Sequence, residues 1–536
     1  MNKILRFSIP FLASSLMLGM IFYLAGASNR AAAALSPFTP EGAILVTTLE
    51  DELNSDGDCS LREAVEAAND NIAVDACSIG DAVITDTITF DVAGIITFTS
   101  QLSVTAGGPL VIDGGEVITT SGGDKNRIWW VDAGSVLTLK SMVVTNGYLI
   151  GNNGGGMYNN KASVTINKCM FLWNDVYFDI DSRDASGGGI YNTGSMTITN
   201  STFYGNRASG FFGGKYGGGI YNQGFLIITN SIFSGNGGGA EGGGVYNIGS
   251  STINNCTFSG NRGYSKMGMV FGTGISNHGS MTITNSTLSG NIALSNRGGN
   301  GGGIYNGYFS TLTITNSTLL GNEASLFGGG IYNEDNGTVT IANSTLSGNL
   351  VYEKDGGGIY NQGILTITNS TLSGNSAWFY GGGIYNQGML TITNSTLSGN
   401  SAILGGGIYN SEDSATTINS IIANNLTDFG CWGTITDGGY NISSDNTCGF
   451  DPSDGSMPNT DPLLGPLQDN GGPTLTHALA WNSPAIDTGD NDQCPTTDQR
   501  GVIRPLDGNG DGKVVCDIGA YEKIYQPLVL LPLVLK

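Results

Sequence analysis

The sequence is poor in charge, and above all in basic residues. Only 12% of its 536 residues are charged, with 21 Lys and Arg against 44 Asp and Glu, which gives a formal net charge of −23. Nucleic acids and anionic membranes are bound by clusters of Lys and Arg, so the composition argues against both as partners. The two histidines, His278 and His477, are a poor inventory for acid–base or zinc chemistry.

Glycine and apolar residues are plentiful. The chain has 85 glycines, close to one residue in six (85/536), which is roughly twice the average usage. They follow no Gly-X-Y period, so collagen is excluded. The hydrophobic fraction is 39% and the aromatic fraction 9%, enough to bury a core, which a disordered acidic chain lacks.

The first 34 residues predict a signal peptide. Lys3 and Arg6 precede an apolar run over 7–24, and A-x-A sites follow at 25–27 and within 31–34. An uncleaved membrane anchor is the alternative. We therefore expect an exported protein that is secreted or associated with the cell surface, with no membrane span in its mature chain.

Export places the eight cysteines in an oxidising compartment. Six of them form close pairs in the sequence near the two ends, although sequence alone does not fix connectivity. The predicted disulfides are Cys59–Cys77, Cys431–Cys448 and Cys494–Cys516. Cys169 and Cys256 stand where other repeats carry Ser, and we interpret them as small buried thiols.

One unit recurs from Gly154 to about Asn425. Two clear copies are GGGIYNQGILTITNSTLSGN (356–375) and GGGIYNQGMLTITNSTLSGN (381–400). The interval averages about 28 residues, which indicates a solenoid. The tyrosine of the G-G-G-[IVM]-Y-N segment stands at 158, 191, 221, 246, 305, 332, 360, 385 and 409, and Ser276 replaces it in a tenth, looser copy.

Within each unit apolar and polar residues alternate with period two, which is typical of strands. Three short strands per unit, with Gly and Asn at the corners, predict an all-β, three-faced parallel β-helix over 82–425. Residues 82–147 supply about three irregular coils before the ten repeats. Coils about 4.8 Å apart would give a rod roughly 60 Å long.

Stacked coils place identical asparagines above one another, where their amides can bond along the axis and satisfy corner backbone groups. We interpret these asparagines as structural. The predicted ladders are Asn361/Asn386/Asn410, Asn369/Asn394 and Asn349/Asn375/Asn400.

Several motifs resemble known families. The Gly-Gly-Gly-Ile segments, with Phe203-Tyr204-Gly205-Asn206 and similar tetrapeptides at 233–236 and 258–261, resemble the GGA[ILV] and FxxN repeats of polymorphic outer-membrane proteins. Here the third position is Gly rather than Ala, and later copies use Leu for Phe. Residues 56–64, DGDCSLREA, resemble the CSLREA motif of exported bacterial β-helix proteins. Residues 462–522 look like a choice-of-anchor Q domain.

The resemblance implies a secreted or surface-attached, right-handed, pectate-lyase-like β-helix, and it names no substrate. Residues 35–81 form its N-terminal cap and 426–523 a disulfide-bearing C-terminal cap or anchor domain. The apolar tail 524–536 is too short to span a bilayer, and it is either a sorting signal or a strand that completes the cap.

The CSLREA motif also has a local physical meaning. Ser60 and Glu63 form a capping box that starts a helix. Leu61, Ala64, Val65 and Ala68 share one face of that helix. An open solenoid end exposes apolar residues and unpaired strand edges, so we expect the helix to cover it.

Sequence alone assigns no catalytic residue. Asp175, Asp179, Asp181 and Asp184 cluster with Arg183 in an inserted loop, either as a solvated loop or as a calcium or catalytic site. Across the repeats, acidic residues do not collect on adjacent coils as glycoside hydrolysis requires.

Calcium is the one cofactor that the sequence suggests. Asp507, Asn509 and Asp511 occupy positions 1, 3 and 5 of an EF-hand-like loop, with glycine at position 6. Ile518 stands where the bidentate Glu is needed, although Asp517 is next to it. A plain Asx/Gly turn is the alternative, and Asp56-Gly57-Asp58 is a weaker version of the same pattern.

The repeats also predict two regular surfaces. Tyr332, Tyr360, Tyr385 and Tyr409 should stack outward, to dock sugar rings or simply to stabilise the sheet. Outward T-x-T pairs form a hydroxyl array like that of some ice-binding β-helices, or an ordinary solvent face. These pairs are Thr282/Thr284, Thr313/Thr315, Thr338/Thr340, Thr366/Thr368 and Thr391/Thr393.

These patterns predict a non-enzymatic surface protein that contacts extracellular polysaccharide or a host or neighbouring surface. The alternative is a polysaccharide lyase or glycoside hydrolase.

Overall fold

The computed structural model describes residues 42–105, 107–178, 185–210, 215–263, 268–412, 414–426 and 429–525. The predicted signal segment 1–34 and the tail beyond residue 525 lie outside the described residues. Among the residues that are described, no helix is both long enough and apolar enough to cross a membrane.

Each repeat folds into one coil of a parallel β-helix, which confirms the predicted fold. In one coil the three strands are Ile359–Asn361, Ile364–Thr368 and Thr371–Ser373. Each strand pairs in parallel with the same strand of the next coil, residue for residue, so that Tyr360 pairs with Tyr385. Period-two alternation turns the apolar side chains inward, where they stack into one continuous core.

The first strand of every coil belongs to a 13-stranded sheet, here called the tyrosine sheet. Its strands are Leu102–Val104, Trp129–Val131, Met157–Asn159, Ile190–Asn192, Ile220–Asn222, Val245–Asn247, Ile275–Asn277, Ile304–Asn306, Ile331–Asn333, Ile359–Asn361, Ile384–Asn386, Ile408–Asn410 and Cys431–Trp432.

The second and third strands form one 27-stranded sheet, because the first coils carry strands long enough to run through both faces. Its N-terminal strands are Ala43–Val46, Asp86–Phe90, Gly94–Thr97, Pro109–Ser121 and Val136–Thr145. The threonine face continues with Ser163–Asn167, Ser195–Thr199, Phe225–Thr229, Ser250–Asn254, Ser280–Thr284, Thr311–Thr315, Thr338–Ala342, Ile364–Thr368, Met389–Thr393, Ala415–Ile418 and Ile435–Asp437. The serine face continues with Met170–Leu172, Thr202–Tyr204, Ile232–Ser234, Thr257–Ser259, Thr287–Ser289, Thr318–Leu320, Thr345–Ser347, Thr371–Ser373, Thr396–Ser398, Ile421–Ala423 and Ile442–Ser443.

A fourth, short strand was not predicted. It lies in the variable segment between repeats, where the sequence shows no alternation to reveal it. These strands form an eight-stranded sheet from Tyr148–Ile150, Asp175–Phe178, Arg207–Gly210, Gly237–Gly238, Arg262–Gly263, Ile292–Ala293, Glu323–Ala324 and Leu350–Val351. Two further pairs are Val270–Phe271 with Gly299–Asn300, and Leu464–Gln468 with Thr476–Leu479. The 3-10 helices are Pro452–Asp454 and Asn491–Gln493.

Two of the three predicted asparagine ladders form. Asn361 Nδ2 donates to Asn386 Oδ1 at 2.7 Å, and Asn375 Nδ2 donates to Asn400 Oδ1 at 2.9 Å. Asn369 and Asn394 do not bond to each other, so that ladder was wrong. The C-terminal region covers their corner, and Asn369 Nδ2 donates to Thr497 O at 2.7 Å.

The only α-helix in the described residues, α1, spans Leu61–Asp70 and has the predicted capping box. Ser60 Oγ accepts from Glu63 N, and Glu63 Oε2 accepts from Ser60 N. Its apolar face packs against the first strands of the stack. Arg62 holds the helix in place through Asp51 at 2.8 Å and through donation to the carbonyl of Ser100.

The three predicted disulfides are confirmed, and they indicate an oxidising compartment outside the cytoplasm. They join Cys59 to Cys77, Cys431 to Cys448 and Cys494 to Cys516. Cys169 and Cys256 are free and buried as predicted, and burial raises the pKa of the Cys169 thiol to about 12. A thiol that stays protonated is a poor nucleophile.

Stacking continues beyond residue 425, where the sequence placed the end of the solenoid. Ile435–Asp437 and Ile442–Ser443 still pair with the coil before them, although they lack the repeat signature. The chain then folds back along the serine face and contacts the strands Thr345–Ser347, Thr371–Ser373 and Thr396–Ser398. The region predicted as a C-terminal cap therefore lies along the side of these coils.

Candidate functional site

The predicted calcium residues share one loop, and their oxygens face its backbone. Asp507 Oδ1 accepts from Gly510 N at 2.6 Å, and Asp507 Oδ2 accepts from Gly512 N at 2.9 Å. Asn509 Oδ1 accepts from Asp511 N at 2.8 Å. These are the hydrogen bonds of an Asx turn. Calcium at this loop remains a prediction.

The weaker calcium pattern brings more carboxylates together. Glu52, Asp56 and Asp58 each offer an oxygen, and these atoms lie within 4.8 Å of one another. Partial burial, followed by the neighbouring carboxylates, raises the pKa of Glu52 and of Asp58. Asn54 Nδ2 donates to Glu52 at 2.8 Å and to Asp56 at 3.2 Å, and these hydrogen bonds help to hold the two carboxylates together.

The predicted acidic loop is described only at its beginning. Asp179, Asp181, Arg183 and Asp184 lie outside the described residues. Asp175 accepts from Ser209 Oγ at 3.3 Å, and burial raises the pKa of its carboxyl to about 6.

The tyrosines stack as predicted, but they are not an open stripe. Ring centroids of Tyr332 and Tyr360 lie 5.1 Å apart, and those of Tyr360 and Tyr385 lie 4.7 Å apart, in nearly parallel planes. Phe327 and Tyr380, from the segments that precede the glycines, pack over them and leave the rings buried. The stacked tyrosines therefore stabilise the sheet, and Tyr332, Tyr360 and Tyr385 are too deeply buried to present a ring face to a sugar, while Tyr409 is half-buried.

The aromatic ladder is interrupted once in the described coils, at Ser276. The imidazole of His278, two residues later, takes the missing place, with its centroid 5.0 Å from Tyr246 and 5.4 Å from Tyr305. His278 Nε2 lies 2.5 Å from Glu241 Oε2, and Ser276 Oγ donates to the same oxygen at 2.8 Å.

The carboxyl group of Glu334 lies close enough to His278 and Glu241 for their charges to change its pKa. Burial raises the pKa of the Glu334 carboxyl most strongly, His278 lowers it, and Glu241 and Asp335 raise it. His278, Gly307 and Glu334 each follow the ladder asparagine in three successive coils. The three residues therefore form one column along the axis.

A second candidate site is a column of exposed apolar side chains. Tyr352, Trp378 and Ile403 follow the eight-stranded sheet in successive coils, and pairing of Leu350 with Ser376 and of Ser376 with Ser401 fixes their register. Their exposures are 44%, 61% and 58%. We call this column of three exposed apolar side chains the aromatic ridge. Tyr352 Oη donates to Glu323 Oε2 at 2.7 Å at its edge.

The threonine face carries the predicted hydroxyl array. Thr282, Thr313 and Thr340 pair in register on adjacent coils and are partly exposed. Apolar Phe225 and Ile227 interrupt the array in one coil.

Residues 183–357 match the family model of the right handed beta helix region. The stacked coils form a right-handed parallel β-helix. No curated protein matches it. Among solved structures, the β-helix is similar to a crystal structure of a pectate lyase, with 15% identity, a TM-score of 0.35, and coverage of 67% of this chain and 88% of that one. It is also similar to an alginate lyase in complex with a trisaccharide, with 13% identity, a TM-score of 0.32, and coverage of 82% and 92%.

Neither the cluster at Ser276 nor the aromatic ridge was predicted from the sequence. The cluster had a signal, because Ser276 departs from the repeat and one of only two histidines follows it by two residues. No sequence signal indicated the aromatic ridge. Its residues lie in the segments between repeats, and these segments differ in length and do not align with one another.

Proposed function

We propose that this protein is an exported, non-enzymatic β-helix that contacts extracellular polysaccharide or a neighbouring cell surface through the aromatic ridge. The observation that supports the proposal is the exposure of Tyr352, Trp378 and Ile403 on three adjacent coils. Contiguous exposed apolar side chains with a polar edge mark interaction sites. Trp and Tyr supply large, rigid contact areas with a polar tip.

The aromatic ridge has the length and surroundings that a glycan chain needs. Two coil spacings separate its ends, roughly 10 Å. Glu323 bonds to Tyr352 at its edge, and Lys354, two residues after Tyr352, has its Nζ 5.9 Å from the ring centroid of Phe379, the residue after Trp378. Apolar faces would contact the sugar rings, while these polar groups would bond to hydroxyls.

The test is binding to a panel of soluble polysaccharides and to whole cells, measured by affinity electrophoresis and pull-down. Trp378→Ala should weaken binding at least tenfold, because the central side chain of the aromatic ridge is lost. Trp481→Ala is the matched control, since Trp481 is 84% exposed in the C-terminal region. Binding that survives Trp378→Ala, or no binding by the wild type, contradicts the proposal.

A second candidate function is polysaccharide cleavage. The observation that favours it is the histidine–carboxylate contact at the interruption of the ladder, because such a contact prepares an imidazole for proton transfer.

A further inference from the structure

We propose that the aromatic ridge binds an extended, neutral, β-linked polysaccharide, with the chain parallel to the axis of the β-helix and one sugar ring over each of three coils. The inference rests on the proposed contact with polysaccharide, and it adds the class of polymer and its direction. It starts from the surroundings of Tyr352, Trp378 and Ile403, which are apolar along the aromatic ridge and negatively charged beside it.

The three side chains of the aromatic ridge point away from the core because their neighbours in the chain point into it. The residues directly before them, Val351, Ala377 and Ala402, are buried in one cluster. Successive side chains of an extended segment point to opposite sides, so the side chains of the aromatic ridge face solvent together. The aromatic ridge is therefore one continuous surface along the axis.

Contacts on the surface restrain the two aromatic rings of this ridge. Tyr352 Oη donates to Glu323 Oε2 at 2.7 Å, and Glu323 belongs to the preceding coil, because its backbone pairs with Leu350. The Tyr352 side chain therefore extends along the axis. The ring of Trp378 lies nearly perpendicular to that of Phe379, with the centroids 6.5 Å apart. Side chains that are restrained before binding lose less conformational entropy when a ligand contacts them.

The spacing of the coils sets the direction of the polymer. Adjacent coils are about 4.8 Å apart, close to the advance of one ring in an extended β-linked chain. A chain parallel to the axis therefore places three successive rings over Tyr352, Trp378 and Ile403, whereas a chain across the axis meets only one of them. In such a polymer the C–H faces of the rings are apolar, and their contact with the aromatic ridge removes apolar surface from water.

Charge beside the aromatic ridge selects against acidic polymers. The segments that carry the aromatic ridge, together with the segment of the coil before it, contain three carboxylates and one cation, namely Glu323, Glu353, Asp355 and Lys354. Burial raises the pKa of Asp355 to about 6, and the nearby Lys354 lowers it in part. The carboxylates of a uronate chain would lie beside Glu323 and Glu353, and such like-charge contacts weaken binding. A neutral chain avoids this repulsion.

The first experiment compares two soluble polymers that share one backbone and differ in charge. Hydroxyethylcellulose is neutral and carboxymethylcellulose is acidic, and both are β-linked glucans. We expect the whole protein to bind the neutral polymer roughly tenfold more tightly at low salt, measured by affinity electrophoresis. The difference should shrink in about 1 M salt, where the Debye length is only about 3 Å.

Glu353→Lys reverses one charge beside the aromatic ridge and leaves its apolar side chains in place. It should raise the affinity for carboxymethylcellulose roughly fivefold at low salt and leave the affinity for hydroxyethylcellulose unchanged. Glu66→Lys, the same change at an exposed position of α1, is the matched control and should alter neither affinity. Equal affinities of the wild type for the two polymers, or a preference for the acidic one, would overturn the inference.

The second experiment tests the direction of the chain with cello-oligosaccharides. The affinity should rise from one ring to three rings and level off beyond three. Tyr352→Ala should abolish the gain from the third ring, because that ring loses its contact. Tyr308→Ala is the control, since Tyr308 is a comparably exposed tyrosine outside the aromatic ridge. An affinity that does not change with the number of rings would show that the chain crosses the axis, contrary to the inference.

Trp378→Ala separates this inference from the function on which it rests. Binding of no polysaccharide, or binding that survives Trp378→Ala, refutes both. Binding that Trp378→Ala removes, but that depends on neither the charge nor the length of the polymer, refutes only this inference. A dimer of the wild type that Trp378→Ala dissociates, measured by sedimentation, would place a second copy of the chain on the aromatic ridge and refute both. All the replaced side chains are exposed, and thermal melts check that each variant is folded.

Discussion

Thr371 Oγ1 donates a hydrogen bond of 2.6 Å to Gln499 Oε1, although 128 residues separate the two in sequence. Gln499 Nε2 in turn donates to Thr345 Oγ1 and to Thr474 Oγ1, both at 2.9 Å. One buried amide thus joins two coils of the serine face to two segments of the C-terminal region.

Replacing this amide should loosen the C-terminal region. Gln499→Ala leaves the buried hydroxyl of Thr371 without a partner, at about 1–3 kcal/mol, and removes one of the two partners of the Thr345 and Thr474 hydroxyls, which still bond to Leu475 O and Asn343 O. We expect the free energy of unfolding to fall by roughly 2–4 kcal/mol, measured by urea titration. Gln468→Ala, at an exposed glutamine, is the control. Equal urea midpoints for the two variants would contradict the prediction.

The asparagine ladder should be equally sensitive. Asn361 Nδ2 donates to Asn386 Oδ1, and Asn361 Oδ1 accepts from Asn333 Nδ2, both at 2.7 Å. Asn361→Ala leaves the buried Oδ1 of Asn386 without its donor and removes the amide that bonds the carbonyls of Gly363 and Met389. A loss of roughly 2–5 kcal/mol follows, visible as a lower melting temperature. Asn296→Ala, at an exposed turn, should leave that temperature unchanged, and a comparable drop there would show that the ladder is not the cause.

The buried carboxyl group of Asp517 should make the free energy of unfolding depend on pH. Burial raises the pKa of its carboxyl to about 8, and the charge of Glu522 adds to the effect. An unfolded Asp titrates near 3.9, so between about pH 4 and pH 8 the folded state holds a proton that the unfolded state has lost. The stability that this provides is complete below about pH 4 and is lost as pH rises towards 8.

Asp517→Asn cannot titrate, so its melting temperature should decline less than that of the wild type between about pH 5 and pH 8. Asp492→Asn, an exposed carboxylate, should follow the wild-type curve. Parallel curves for wild type and Asp517→Asn would show that Asp517 is ionised in the folded protein throughout.

Calcium should stabilise the protein if the loop at 507–512 binds it. A ligand at 100 times its Kd adds about 2.7 kcal/mol to the free energy of unfolding. We expect a higher melting temperature with calcium, and none of that increase in the double variant Asp507→Ala, Asp511→Ala. An increase of equal size in the double variant would place any bound calcium elsewhere, for example at Glu52, Asp56 and Asp58.

The repeat made the fold predictable. Ile359, Leu365 and Ile367 alternate with polar residues, and glycine and asparagine mark the corners, so strand direction and register followed from the period alone. The helix at Ser60 and the disulfides were likewise readable, because capping and cysteine spacing are local signals. All of these features either recur along the chain or join residues no more than 22 positions apart.

Contacts between residues that are far apart in the chain could not be predicted from the sequence. Nothing in Asn369 or Thr371 indicates that residues 497–499 cover them, so the second asparagine ladder was wrongly predicted. The tyrosines were placed outward correctly, but Phe327 and Tyr380 bury them from segments that do not repeat. The candidate sites were missed for the same reason, since Glu241 reaches His278 from outside the repeated unit.

Every amide in the ladder from Asn159 to Asn410 points the same way along the axis, with Nδ2 of each coil donating to Oδ1 of the next. A single amide turned by 180° would set donor against donor on one side and acceptor against acceptor on the other. The orientation is therefore a collective property, fixed for all members once it is fixed for one. Aligned dipoles of this kind reinforce one another, and they give the solenoid an electrical polarity that its nearly uncharged repeats do not otherwise reveal.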